Sequence, residues 1–122
     1  MPEVILTDKQ LQERLKYWQE RLRLRDWDIE AEIVPLSAMD DQTHGGENTY
    51  LLQSKASRIS ILNHGDYQNM NCIIPHDMEE TLVHELLHLH FAPFDSEKNY
   101  MPIEQAIESL AKAFVETDRQ KV

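Results

Sequence analysis

The stretch from Asp77 to Pro93 constrains this chain most. Met78, Leu82, Val83, Leu86, Leu87 and Leu89 recur at helical spacing and cover about half the circumference of a helix. Asp77 is placed to cap its first turn, with Glu80 at the third helical position, and Pro93 ends it. A helix apolar over that much of its surface cannot lie on the outside, so the other elements must be arranged to cover it. With 122 residues, 41% of them hydrophobic and only three glycines and five prolines, the chain suits one small globular domain spanning 1–122.

The flanking segments supply the cover. Thr7-Asp8-Lys9-Gln10 has the form of a capping box, and Leu11, Leu15, Trp18 and Leu22 then follow at helical spacing. Trp27, Ile29, Ala31 and Ile33 alternate with Asp28, Glu30 and Glu32 up to Pro35, the pattern of a strand with one wet face. Residues 36–46 read as a loop, and 47–53 and 57–62 as two strands about Ser54-Lys55, with Ile59 and Ile61 facing inward. Asn63-His64-Gly65-Asp66 then suits a turn. After a connection over 94–101, Pro102 suits the first turn of a final helix with apolar positions at Ile103, Ala106, Ile107, Leu110, Ala111, Phe114 and Val115. The expected fold is α+β: a small three-stranded sheet packed against an N-terminal helix, the buried helix and a C-terminal helix.

Charge narrows the partners. Twelve Lys and Arg against 22 Asp and Glu give a net charge of −10, which repels phosphate backbones and anionic lipid at long range. Direct nucleic-acid binding and membrane association are therefore not expected. A single cysteine, Cys72, cannot form an internal disulfide and reads as a small buried apolar residue without a chemical role. With no basic-then-apolar leader and no apolar run of about 20 residues, the chain is expected to be soluble and cytoplasmic.

His84-Glu85-Leu86-Leu87-His88 carries the chemistry. Four residues at about 100° each put both histidines on one face, one turn apart, off the apolar stripe, where both imidazoles can bind one zinc ion. Glu85 is poorly aligned as a third ligand from the same turn but well placed to meet a metal-activated water as general base. Zinc lowers the pKa of its water toward ~7 and polarises a carbonyl, and Glu85 can take the proton and pass it to the departing amine. That is peptide-bond hydrolysis.

Catalytic zinc needs a third protein ligand and an open position. No histidine follows His90, and His90 falls on the apolar side of its helix, so a downstream ligand must be a carboxylate: Asp95, Glu97, Glu104, Glu108, Glu116 or Asp118. Glu104 and Glu108 lie one turn apart on the final helix beside its apolar face, so docking that helix on the first brings both near the histidines. Glu104 is the preferred ligand. Glu108 can accept a hydrogen bond from the distal nitrogen of a ligand histidine, and the two roles are interchangeable at this level. Tyr50, Tyr67 and Tyr100 are available as oxyanion donors, and His44, His64 and His76 as further imidazoles, although packing, loop and surface roles suit all six better.

His84-Glu85-Leu86-Leu87-His88, followed by Glu104-Gln105-Ala106-Ile107-Glu108-Ser109-Leu110-Ala111, resembles minimal gluzincin-type zinc metallopeptidases, in particular small phage and prophage metallopeptidase-like proteins and, more distantly, the ImmA/IrrE group. The likeness covers the two C-terminal helices specifically and the preceding helix and sheet loosely. It implies zinc at His84, His88 and Glu104 and catalysis by Glu85.

The leading expectation is thus a zinc-dependent peptidase acting on a peptide or protein substrate. Two other classes use the same residues differently. A non-catalytic, zinc-stabilised binding or regulatory module would close the fourth coordination position with a protein side chain. An acidic interaction protein mimicking a polyanion would leave the histidines incidental and bind a basic partner in a salt-sensitive way.

Overall fold

A computed structural model describes residues 3–41, 44–69 and 75–120; Cys72 lies outside the described residues. Helix α1 spans Asp8–Arg21. Thr7 caps it, its hydroxyl accepting from Gln10 N at 3.2 Å while Gln10 Oε1 accepts from Thr7 N at 2.9 Å. Leu11, Leu15 and Trp18 form its buried stripe. Leu22, expected to continue that stripe, is buried but is the residue that caps the helix end. Arg23 follows in the left-handed region (φ 62°) and turns the chain, and Leu24 N then donates to Gln19 O at 2.8 Å.

The sheet contains β1 (Asp28–Val34), β2 (Gly46–Leu51) and β3 (Ala56–Leu62) in the order β1-β3-β2. β1 and β3 run parallel from Asp28 opposite Ala56 to Val34 opposite Leu62, whereas β2 is antiparallel to β3 and occupies an edge. The sequence places β2 at 47–53 and β3 at 57–62, but both begin one residue earlier. β2 stops at Leu51 because the turn before β3 requires the left-handed φ of 53° that Lys55 adopts. The segment read as a loop holds a 3₁₀ turn, Leu36–Ala38, and surrenders Gly46 to β2. A second 3₁₀ segment, His64–Asn69, stands where the turn was expected. Ile59 and Ile61 are buried, as is Ala31, while Asp28, Glu30 and Glu32 face water, so one sheet face is dry and the other wet.

Helix α2 runs Met78–Phe91, with the Asp77 carboxylate accepting from Glu80 N at 3.0 Å. Its apolar positions expected from Met78 to Leu89 are all buried: Leu82, Val83 and Leu86 are fully inaccessible, each contributing roughly 1.5–3 kcal/mol through burial. It is the hub of the fold, packing on α1, on β2 and β3, and along α3 (Tyr100–Arg119). Ile107, Ala111 and Val115 form the buried stripe of α3. Leu110 and Phe114, expected to belong to it, are exposed, because α3 meets α2 along the 104/107/108/111/115 side and nothing among the described residues covers the adjacent flank. His90, expected on the apolar side, is exposed where α2 nears its end, with Nε2 2.6 Å from Leu22 O. Among the described residues, no helix is long and apolar enough to cross a membrane.

A polar network fastens the ends of the three helices. Trp18 Nε1 donates to Glu79 Oε2 at 2.7 Å, and Arg14 Nε lies 3.0 Å from the same oxygen. Arg119, near the end of α3, donates through both terminal nitrogens to Asp77 at 2.7 and 3.0 Å. The far end of α3 is thereby tied to the start of α2, which fixes how the two helices lie where they carry the site.

Candidate metal centre

His84 and His88 are successive residues on one edge of α2, their ring centroids 5.2 Å apart. They face α3. The Glu104 carboxylate bridges them: Oε1 is 2.9 Å from His88 Nε2 and Oε2 is 3.5 Å from His84 Nε2. One donor atom from each of the three side chains can be chosen so that all lie within 4.8 Å of one another, a group able to hold a metal ion. Ligands about 2.0–2.2 Å from a tetrahedral ion stand about 3.3–3.6 Å apart, so two imidazoles and a carboxylate gathered within 4.8 Å could close on one small cation through small side-chain movements. Glu108 takes a different place. Its Oε2 is 3.3 Å from His84 Nδ1, on the opposite side of the ring from Glu104, where it accepts a hydrogen bond and sets the tautomer that presents Nε2 as donor.

The electrostatics follow from burial against charge. Burial disfavours a charged His84, but the hydrogen bond to Glu108 and the negative charges of Glu85, Glu104 and Glu108 outweigh it, and its pKa lies above the usual imidazole value. His88 lies below that value, because burial and the neighbouring His84 outweigh Glu104. Glu108 is held below the usual carboxylate range by its hydrogen bond to His84.

Glu85 is different again. It is only 7% exposed, and burial pushes its carboxyl up to about 7, with His84 opposing and Glu104 adding to the shift. The cover comes from β2. Gly46, Asn48 and Tyr50 alternate onto the face of β2 that meets α2, and a Cβ on Gly46 would stand 3.5 Å from Glu85 Oε2. A cleft of about 220 Å³ runs between β2 and the two helices, lined among others by His44, Glu85, His84, His88, Glu104 and Tyr100.

The other residues singled out from the sequence are dispersed. Asp95 and Tyr50 meet at the His88 end of the cleft, where Tyr50 OH donates to Asp95 Oδ2 at 2.7 Å. Tyr100 is exposed at the rim. His44 Nδ1 stands 2.6 Å from Asp41 Oδ2 beside the same cleft. His76 stacks on Tyr67 at 3.9 Å, and His64 is exposed. Glu97 and Glu116 are exposed, and Asp118 accepts a hydrogen bond from Tyr17. Sequence reasoning missed Gly46 and Asn48. The one available signal was the pair Gly45-Gly46, which reads equally well as a turn.

Comparison with protein-family models, with curated proteins and with solved structures gives no match to this chain.

Proposed function

We propose that this protein is a zinc-dependent peptidase in which His84, His88 and Glu104 hold the ion and Glu85 is the general base. One observation carries the reading: a carboxylate from α3 meets both imidazoles of α2 beside a cleft into which a buried carboxyl from the intervening residue is also set. Two nitrogen donors and one oxygen donor form a usual ligand set for catalytic zinc. The open cleft beside them favours catalysis over a closed structural site.

Bound there, zinc would polarise a peptide carbonyl and acidify water. The protein's own residues supply the rest. Glu108 holds His84 in the tautomer whose Nε2 faces Glu104, and the two helices keep the three donors converged. β2 covers Glu85, and burial pushes its carboxyl up to about 7 in the metal-free protein, so it is set to hold a proton; beside a bound ion it would take a proton from the attacking water and release it to the leaving amine. The substrate is a peptide or protein segment lying in the cleft.

The test has two steps. Protein purified without a metal-binding tag should carry one zinc per chain and gain thermal stability from it; absence of both removes the metal assignment. Glu85→Gln should retain zinc and lose cleavage of a denatured protein mixture by about 10²-fold or more, and equal activity in the variant removes Glu85 from the chemistry.

A further inference from the structure

Resting on that reading, we infer that Asn48 is a positioning residue for Glu85: its side chain pins the edge strand β2 to the main chain of α2 at the residue bearing the general base. Asn48 Nδ2 donates to Glu85 O at 2.8 Å. That carbonyl belongs to the middle of α2, where its second lone pair is free to accept from outside the helix. The amide cannot turn over at no cost, because Asn48 Oδ1 already accepts from Ser57 Oγ on β3 at 2.7 Å, and Ser57 is itself buried. With its oxygen so engaged, the amide must aim its donor at α2.

A second contact lies on the same face of β2, two residues earlier. A Cβ on Gly46 would stand 2.4 Å from Thr81 Cγ2, so the glycine lets the strand backbone close directly onto the helix one turn before Glu85. β2 is therefore held against α2 both before Glu85 and at its carbonyl. Between those points Glu85 is left 7% exposed, although it borders an open cleft. If Asn48 no longer held the strand, the carboxyl would gain water and freedom while the metal donors, which meet one another across the contact of α2 with α3, would keep their places. Misplacing a reacting group by about 1 Å costs about 10²-fold in rate.

The experiment compares Asn48→Ala and Ser57→Ala with the parent protein, loaded with zinc and also metal-free. Expected are zinc affinities within about threefold of the parent and a kcat about tenfold or more lower at little-changed KM, with Ser57→Ala less affected because the donor survives but is no longer oriented. In the metal-free proteins the ¹³C resonance of the Glu85 carboxyl, assigned by its loss in Glu85→Gln, should move in both variants. An unmoved Glu85 resonance overturns the inference, whether or not the protein proves to be a peptidase. So does a parallel loss of zinc affinity, which would mark Asn48 as holding the whole site. A parent that binds zinc and cleaves nothing defeats the peptidase reading instead, and the carboxyl resonance still decides the role of Asn48. Should Asn48→Ala fail to fold, Ser57→Ala carries the same two readouts.

Discussion

The Nε2 of His88 and the Oε1 of Glu104 meet at 2.9 Å across the contact between α2 and α3, while Glu108, one turn further along α3, meets the Nδ1 of His84 at 3.3 Å. The two glutamates would therefore do different things for an ion bound there. Glu104→Gln should weaken zinc binding by more than about 100-fold, and Glu108→Gln by about 10- to 100-fold, since it removes the orienting partner and leaves the donors. Competition against a chromophoric chelator at fixed pH separates these outcomes. Equal losses would mean that the two carboxylates share one role.

In the metal-free protein the contribution of Glu85 to stability should fall as pH rises from about 4.5 to 7. The Glu85 carboxyl, raised to about 7 by burial, binds its proton in the folded state over a range where the unfolded chain has released it, so the folded state is progressively penalised across that window. Removing the charge removes the penalty. Metal-free Glu85→Gln should be more stable than the parent by up to about 3 kcal/mol at pH 8 and nearly equal to it at pH 4. His84, whose pKa is also raised, contributes in the same direction, its stabilisation being complete below the ordinary imidazole value and lost as pH rises through the folded one. Denaturant titrations of both proteins across that pH range read the difference directly.

Gly46→Ala should destabilise the fold by about 1–3 kcal/mol, because the added methyl overlaps Thr81 Cγ2, part of a β-branched side chain with few rotamers open to it on a helix. Thr81→Ser deletes that methyl. The double variant should recover much of the loss, and a double-mutant cycle by chemical denaturation measures the coupling; additive effects would show that the clash lies elsewhere.

Trp18→Phe should cost about 1–3 kcal/mol in spite of its conservative shape, because it strips the indole donor from the buried carboxylate of Glu79. Thermal unfolding of the variant checks this. No change in stability would mean that Arg14 and Arg119 satisfy Glu79 without the indole.

Periodicity and capping chemistry make the helices legible from the chain alone. Thr7 with Gln10, Asp77 with Glu80, and the apolar run from Met78 to Leu89 are local patterns whose physics acts within a few residues. The same reasoning fails for Leu110 and Phe114. Their spacing suits a core stripe, but only the angle at which α3 meets α2 decides which flank is covered.

Sequence by itself determined that His84 and His88 share one helical edge and that Glu104 and Glu108 share one edge of another, since helical geometry fixes neighbours three and four residues apart. Tertiary structure decided which carboxylate bridges the two imidazoles and which touches one ring from behind. It also decided that β2, paired to β3 at the sheet edge, should close over Glu85 through Gly46 and Asn48. Those relations join residues between 16 and 39 positions apart, and no local rule reaches so far: they depend on the packing of elements whose relative placement is set by the whole core.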